Sequence, residues 1–348
     1  MNKLVDLEFW NRKKVLITGH TGFKGSWMST IMKQLNAEIY GLSNIQKKGI
    51  YEAISKEEIF QEEFFADINN INEDLHQKLI SIEIDYIFHF AAQSLVGVAY
   101  SNPKETLMTN IIGTYNILDL FNQMDSAKLI SIATTDKVYK NPSQINKEDA
   151  ELGSSEFYSL SKVSAEKLIE LFIENQLRKD KNISVVRAGN VIGGGDTGYD
   201  RLVPDALRAI ENKEILKIRN PESIRPWQHI LDSLYGYILA FQYSYKKEEN
   251  TVFNLNSEVN NKFTAMKLIR EIENVWSIEL DLDIASTYKE VEQLLIDSSK
   301  AKKELNWEAT LSIPESINLI YKWETTINKF EETNKQINNY FFKLKIDD

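Results

Sequence analysis

The chain has 348 residues, of which 43% are hydrophobic and 26% are charged, a composition typical of a soluble globular protein. Its net charge of -10 argues against a nucleic-acid partner, and its lack of cysteine excludes disulfides, thiolate catalysis and cysteine-ligated metal sites. The N-terminus has no apolar signal region, and no apolar run approaches the ~18 residues that span a bilayer. We therefore expect a cytoplasmic protein with no membrane partner.

Short apolar runs alternate with helical patterns along the first half of the chain. The pattern predicts helices at 25–35, 75–81, 103–124 and 158–175, and strands at 14–18, 38–42, 64–67, 86–90, 128–133 and 183–187. This alternation predicts an α/β fold, a doubly wound parallel sheet of the Rossmann type with helices on both faces.

The alternation stops after Arg187, where glycine and proline clusters begin. We expect residues 1–187 to form a dinucleotide-binding domain. Residues 188–330 should form mainly a smaller, mixed α/β substrate lobe, with some segments returning to the sheet. Residues 331–348 are a charged C-terminal tail, for which a terminal helix and partial disorder are both open.

A glycine-rich turn follows the first predicted strand. Gly19, Gly22 and Gly25 have G-x-x-G-x-x-G spacing, and glycine lets the backbone take positive φ and approach a pyrophosphate closely. The next helix offers free N–H groups and a positive dipole end to that anion. The turn therefore predicts a dinucleotide site, to which we assign Gly19, Thr21, Gly22, Phe23, Gly25, Asp67, Ile68, Ala91, Ala92, Gln93, Tyr158 and Lys162.

The second predicted strand lacks the acid that usually grips a ribose 2′-hydroxyl. Ser43 and Asn44 stand there, followed by Lys47 and Lys48. NAD is the expected cofactor, and NADP stays open. Asp67, after the third predicted strand, is either a partner of the adenine amino group or a loop acid or helix cap.

A tyrosine and a lysine lie one turn apart on the helix predicted at 158–175. A cation close to Tyr158, such as Lys162, favours the phenolate and lowers the phenol pKa, as a general base near neutral pH requires. The preceding strand ends in Thr134 and Thr135, and a threonine hydroxyl there can bond a substrate hydroxyl. The combination predicts an enzyme that moves a hydride to and from a nicotinamide.

Asp136 and Lys137 come directly after that strand. Catalytic groups in open α/β sheets lie at the carboxyl ends of strands. A surface ion pair is the alternative interpretation of these two residues.

Several longer strings resemble the extended short-chain dehydrogenase/reductase superfamily and, within it, the CDP-glucose 4,6-dehydratases. The similarity covers roughly residues 8–325 and rests on the strings at 19–27, 91–96, 135–137, 187–196, 200–205, 218–229 and 297–307. The resemblance implies oxidation at sugar C4, loss of water across C5 and C6, and return of the same hydride to C6. Deoxysugar synthesis for surface polysaccharide such as lipopolysaccharide O-antigen would use the product.

The resemblance also implies roles for individual residues. Tyr158 would take the C4 hydroxyl proton, Asp136 would protonate the leaving C6 hydroxyl, and Lys137 stands where related dTDP-glucose dehydratases have a glutamate base. A lysine base must be neutral, which Asp136 opposes. The catalytic set is therefore Thr135, Asp136, Lys137, Tyr158 and Lys162, and the implied substrate contacts are Ser94, Asn190, Arg201, Leu202, Arg219 and Arg225.

Three departures from the family pattern touch the substrate side. Gly97 and Val98 stand where the family carries an arginine, and Lys289-Glu290 replaces a His-Glu pair. The loop at 140–157 is shorter than in the family, and its last segment, Gly153-Ser-Ser-Glu-Phe157, lacks proline and tryptophan. A nucleotide-sugar 4-epimerase or 4-dehydrogenase therefore stays open, although neither needs an elimination acid. A non-catalytic nucleotide-binding protein is the third alternative.

The helices predicted at 103–124 and 158–175 each have an apolar face. Superfamily resemblance implies a homodimer in which they pair with their copies as four helices. The alternative is that both faces are buried within one chain.

Overall fold

The computed structural model describes residues 6–44, 48–257, 263–284 and 293–346. The strands are β1 (Lys14–Thr18), β2 (Glu38–Ser43), β3 (Phe60–Phe65), β4 (Tyr86–His89), β5 (Leu129–Ala133), β6 (Asn182–Ala188), β7 (Val191–Ile192), β8 (Leu216–Ile218), β9 (Gln228–His229), β10 (Thr251–Leu255) and β11 (Leu282–Ile284). The helices are α1 (Leu7–Trp10), α2 (Phe23–Gln34), α3 (Ile50–Ile54), α4 (Glu73–Ser81), α5 (Val96–Ser101), α6 (Pro103–Leu107), α7 (Gly113–Gln123), α8 (Phe157–Asn175), α9 (Leu202–Asn212), α10 (Ile230–Lys247), α11 (Ala265–Trp276), α12 (Ile313–Thr325) and α13 (Lys329–Ile346). Met108–Ile112 and Ala301–Leu305 are π-helical, and Asp136–Val138 is a 3₁₀ turn.

Seven parallel strands form the central sheet in the order β3-β2-β1-β4-β5-β6-β10. The chain runs outward from β1 to β3 and then returns to β4 on the other side of β1. The point between β1 and β4 is therefore the topological switch point, where open α/β sheets bind ligands. The predicted doubly wound parallel sheet is confirmed.

Both faces of the sheet are covered, which explains the continuous apolar runs of its strands. In β1, Val15 and Ile17 face one core while Leu16 faces the other. The first core is closed by α2, α3, α10 and α13, and the second by α4, α7 and α8.

Two predicted elements differ from the structure. The third strand was predicted at 64–67 and is Phe60–Phe65, so its predicted bounds are wrong. Because residues 61–63 are polar, a search for apolar runs does not detect this part of the strand. Pairing with β2 nevertheless extends β3 over these residues. The helix predicted at 103–124 is continuous, but a π-helical turn at Met108–Ile112 separates α6 from α7.

The chain beyond residue 187 divides between the sheet and a separate layer. β10 and α10 return to the sheet, whereas α9, α11 and α12 surround a third core beside the pairs β7–β9 and β8–β11. The domain boundaries stay predictions. Residues 331–346 belong to α13, which buries Ile337, Tyr340 and Leu344 in the first core.

Among the described residues, no helix combines the length and apolar character that crossing a bilayer requires.

Candidate active site

The glycine turn fits tightly against the end of β4. Gly19 has a φ of +71°, and a Cβ there would lie 2.7 Å from the backbone nitrogen of Ala91. A Cβ at Gly25 would lie 2.2 Å from the carbonyl oxygen of Gly19. Side chains at these two positions would therefore force β1, α2 and the 91–93 loop apart.

Helix α2 starts immediately after this turn. Gly22 is its N-cap and provides no side-chain hydrogen bond, so the first N–H groups of the helix keep their binding capacity. Thr21 hydrogen-bonds to Ser43 at the end of β2 (Oγ1 to Oγ, 2.8 Å), and Phe23 is partly buried. An uncapped helix N-terminus after a glycine turn fits the diphosphate of a dinucleotide.

The opposite end of the predicted cofactor site lies beyond β2 and β3. Asp67 is exposed, and one carboxylate oxygen accepts the N–H of Asn69 at 2.9 Å. Ile68 is buried in the second core. Asn44 and Lys48 are exposed, and Lys47 lies outside the described residues. Both interpretations of Asp67 are compatible with this placement.

Sequence reasoning missed Asn110, in the π-helical turn. Its Oδ1 accepts the N–H of Gln93 at 2.8 Å, and its Nδ2 donates to the carbonyl of Gln93 at 2.9 Å and to Ser161 Oγ at 2.8 Å. The amide thereby holds the loop of Ala91, Ala92 and Gln93 against α8. A buried amide inside an amphipathic helix was the available signal.

The predicted redox residues lie together at the carboxyl end of β5. Tyr158 is 8% exposed, and Lys162 donates from Nζ to the carbonyl of Ala133 at 3.1 Å. The Thr135 hydroxyl hydrogen-bonds to Tyr158 and donates to Asp136 Oδ1 at 3.0 Å. One hydroxyl therefore connects the phenol with the carboxyl.

Burial governs the ionisation of this pair. It raises the pKa of Tyr158 to about 12, which outweighs the hydrogen bond with Thr135 and the charge of Arg201. It also lowers the pKa of Lys162 to about 8. The direction at Tyr158 is opposite to the sequence-based expectation, because removal from water disfavours the phenolate more than the nearby positive charge favours it.

Asp136 is a buried carboxyl and no surface ion pair, so that alternative is wrong. It is 1% exposed, and its Oδ2 has no hydrogen-bond partner among the described residues. Burial raises the pKa of Asp136 against the opposing charge of Lys137. Lys137 is partly buried, with its ammonium 6.0 Å from the ring centroid of Tyr158. Asp136 is thus suited to hold a proton that it can donate.

A buried ion pair fixes the helix that carries Tyr158. Glu166 of α8 binds Arg187 of β6 through both carboxylate oxygens, and Thr134 of β5 donates to Glu166 at 2.6 Å. The two threonines therefore divide their tasks: Thr134 anchors α8, whereas Thr135 faces the site.

The arginines implied as substrate contacts come from the chain beyond β6. Arg201 is paired with Asp196 at 2.9 Å and donates to Ser94 Oγ at 2.9 Å, directly before Leu202 opens α9. Arg225 is buried, and its charge lowers the pKa of Asp136. The charges of Arg201 and Arg225 therefore act on Tyr158 and Asp136, respectively.

Two other predicted contacts also come from the chain beyond β6. Asn190 is partly buried, and its carbonyl accepts the N–H of Gln228 at 3.0 Å. Arg219 pairs with Asp200 at 3.2 Å. A Cβ at Gly97 would lie 2.0 Å from Oδ2 of Asp200, so a larger residue at 97 would displace that carboxylate. The Lys289-Glu290 departure lies outside the described residues.

Sequence reasoning also missed Lys24, whose Nζ lies 3.4 Å from the hydroxyl of Tyr237. The available signal was a cation between glycines of a turn that binds a dinucleotide through its backbone.

A comparison with protein families assigns the chain. The family profile described as GDP-mannose 4,6 dehydratase matches residues 16–320. The chain belongs to this family.

Among curated relatives, a CDP-glucose 4,6-dehydratase from Salmonella typhimurium is 34% identical over 334 residues, which cover 92% of each protein. A UDP-glucose 4-epimerase from Dictyostelium discoideum is 25% identical over 340 residues, covering 90% of this chain and 96% of that protein.

Solved structures of similar shape share the fold. A dTDP-glucose 4,6-dehydratase from Bacillus anthracis, in complex with NAD, has a TM-score of 0.75 at 21% identity, covering 91% of this chain and 98% of that chain. An epimerase from Methanothermobacter thermautotrophicus has a TM-score of 0.79 at 19% identity, covering 97% and 96%. Both likenesses extend over nearly the whole chain.

Proposed function

We propose that this family member is an NAD-dependent CDP-glucose 4,6-dehydratase, a lyase that forms CDP-4-keto-6-deoxyglucose. The observation that carries the proposal is the buried Asp136 carboxyl. Its Oδ2 has no hydrogen-bond partner among the described residues, and its Oδ1 is connected with Tyr158 through the Thr135 hydroxyl. A 4-epimerase or 4-dehydrogenase has no use for an acid at the C6 hydroxyl. The identity of 34% with a CDP-glucose 4,6-dehydratase supports the same substrate.

The cofactor fits the glycine turn through backbone groups. NAD held there supplies the oxidising power for C4 and returns the reducing equivalent to C6. The N–H groups at the start of α2 would bind its diphosphate. Lys162 lies one helical turn after Tyr158 on α8. The positive charge of an oxidised nicotinamide near Tyr158 would lower the pKa of the phenol toward the range in which it accepts a proton.

The residues of the pocket then divide the proton transfers. Tyr158, with Thr135 at its hydroxyl, takes the C4 hydroxyl proton. Asp136 gives its proton to the leaving C6 hydroxyl, and Lys137 takes the C5 proton, which the 4-ketone acidifies. Arg201 and Arg225 would bind the substrate diphosphate, since guanidinium forks suit phosphate oxygens.

We also propose a cytoplasmic homodimer built through the helices that carry the site. Seven apolar side chains on this layer expose 36% to 60% of their surface, namely Tyr100, Met108, Ile112, Tyr115, Phe157, Leu160 and Leu171. Six of them lie on the π-helical turn, α7 and α8, which correspond to the helices predicted to pair with their copies, and Tyr100 lies on the neighbouring helix α5. An apolar patch of this kind marks a protein interface.

The test is mass spectrometry on CDP-glucose incubated with purified protein and catalytic NAD. A product lighter by one water, without net NADH, supports the dehydratase. Lys137→Ala should then accumulate the 4-keto sugar that has not lost water. CDP-glucose that keeps its water while NADH accumulates, or a 4-epimer, would refute the proposal and favour a 4-dehydrogenase or epimerase.

A further inference from the structure

The loop at 196–201 carries Arg201, the implied substrate contact whose charge acts on Tyr158. The residue before it, Asp200, has a φ of +58°, in the left-handed region. Residues other than glycine are uncommon in this region, although aspartate tolerates it better than most. Such a conformation persists where neighbouring contacts hold it, and it is concentrated at functional sites.

Arg219 supplies two of the contacts that hold Asp200. Its Nη1 donates to Asp200 Oδ1 at 3.2 Å, and its Nη2 donates to the Asp200 carbonyl at 3.0 Å. One guanidinium group therefore holds both the side chain and the backbone of this residue. Because Arg219 directly follows β8, it ties the 196–201 loop to the β8–β11 pair.

Gly97 of α5 supplies the third contact. A Cβ at this position would lie 2.0 Å from Asp200 Oδ2, so the carboxylate occupies a space that exists only because residue 97 is glycine. Gly97 is also one of the two residues that stand where the family carries an arginine. Glycine forms helices less well than alanine. The contact with Asp200, rather than helix stability, therefore accounts for glycine at this position.

Two consecutive residues of the loop thereby reach the same neighbouring segment. Asp200 lies against Gly97, and Arg201 donates from Nη2 to Ser94 Oγ at 2.9 Å. Arg201 Nη1 also donates to both carboxylate oxygens of Asp196, at 3.0 and 2.9 Å. The left-handed turn at Asp200 sets the direction in which the Arg201 side chain leaves the loop.

We propose that Asp200, seated against Gly97, is a positioning residue that presents Arg201 to the diphosphate of a nucleotide sugar. This inference rests on the proposed function. Asp200 touches no reacting atom and acts through Arg201, whose orientation is set before substrate arrives. Preorganisation of this kind strengthens binding because the side chain does not have to be ordered by the ligand. Loss of the Asp200 contacts should therefore raise the Kd and the KM of the nucleotide sugar and spare the chemical steps.

The experiment measures the Kd of CDP on the NAD-loaded protein by calorimetry, together with KM and kcat for CDP-glucose. Asp200→Gly still permits the left-handed turn but removes the carboxylate that enforces it. We expect about tenfold weaker CDP binding and about tenfold higher KM, the effect of losing one charge-assisted hydrogen bond, with kcat changed less than about threefold. Asp200→Asn keeps the shape and an acceptor for Arg219, so its Kd should stay within about threefold of the unmodified value. Glu248→Gly is the matched control, because Glu248 is an exposed acid with a φ of +54°, and it should change none of these constants.

Gly97→Ala tests the other half of the contact. Its methyl group displaces the Asp200 carboxylate and should weaken CDP binding about tenfold, as Asp200→Gly does. When the carboxylate is absent, the methyl group has nothing to displace. The double variant Gly97→Ala/Asp200→Gly should therefore bind CDP as Asp200→Gly alone does, a non-additivity typical of residues in direct contact.

Four results would overturn the proposal. Unchanged or tighter CDP binding in Asp200→Gly means that Asp200 only neutralises Arg219. An additive loss of about 100-fold in the double variant means that residue 97 acts independently of Asp200. A lower kcat at unchanged KM means that Asp200 serves the chemical steps. Weaker NAD binding in the same variants means that the loop supports the fold as a whole. An unmodified protein that binds no CDP would instead refute the proposed function.

Discussion

Asp136→Asn tests whether the buried carboxyl is the elimination acid. The amide has nearly the same shape and can still accept the hydrogen bond from Thr135, but it has no proton to donate to the C6 hydroxyl. Loss of a general acid slows a reaction by 10² to 10⁴, or about 3–5 kcal/mol in the barrier. Oxidation at C4 does not need this proton, so the variant should form NADH and the 4-keto sugar while product formation falls.

The same change should stabilise the fold. Burial raises the pKa of Asp136 above its ordinary value of 3.8, so the ionised carboxylate destabilises the folded state once the pH exceeds the folded-state pKa. Removing that charge should raise the free energy of unfolding at pH 7 by about 0.5–2 kcal/mol, the usual scale of a stability–activity trade-off. Below pH 3.8 the carboxyl is protonated in both states and the gain should vanish.

The assay pairs stopped-flow absorbance of NADH with urea unfolding of the same samples. Asp125→Asn is the control, because Asp125 is an exposed carboxylate whose pKa is held low by Arg178. That control should keep its activity and gain no stability. An Asp136→Asn variant that forms product at the rate of the unmodified protein, or that is less stable at pH 7, would refute the reasoning.

Three further predictions concern stability and assembly. Glu166→Gln should lower the free energy of unfolding by about 3–5 kcal/mol because it leaves a buried arginine charge unpaired. The control Glu170→Gln, in an exposed pair on the same helix, should change the free energy of unfolding by less than about 1 kcal/mol. Equal effects of the two changes in urea unfolding would contradict this prediction. Burial raises the pKa of Asp232 to about 6 from 3.8, so its stabilising contribution is complete below pH 3.8 and is lost as the pH rises through 6. Between pH 3.8 and 7 the stability of the unmodified protein should fall by about 3 kcal/mol relative to Asp232→Asn, and parallel pH curves would show that this carboxyl does not titrate as inferred. Leu160→Glu should shift light scattering from dimer to monomer, whereas Ile215→Glu, at another exposed site, should not; an unchanged mass for Leu160→Glu would place the interface elsewhere.

The sequence by itself determined the sheet and the order of the chemistry along the chain. Buried parallel strands need continuous apolar runs, which the sequence shows directly. A strand followed by a glycine turn and a helix is a local pattern, so β1, the turn and α2 could be predicted from the sequence. Tyr158 and Lys162 were readable because one helical turn fixes their spacing. The third strand was misplaced because its polar residues 61–63 form a strand only through pairing with β2.

Only the tertiary structure decided which hydrogen bonds connect the residues of the site and how burial shifts the pKa values of their side chains. Thr134 and Thr135 are adjacent in sequence, but their side chains lie on opposite sides of the backbone. Thr134 therefore hydrogen-bonds to Glu166, whereas Thr135 hydrogen-bonds to Asp136. Lys24 and Asn110 were missed because their partners, Tyr237 and Gln93, come from distant parts of the chain. The pKa of Tyr158 is raised, although the sequence predicted that it would be lowered. Burial, a property of the whole fold, outweighed the positive charge of its neighbours.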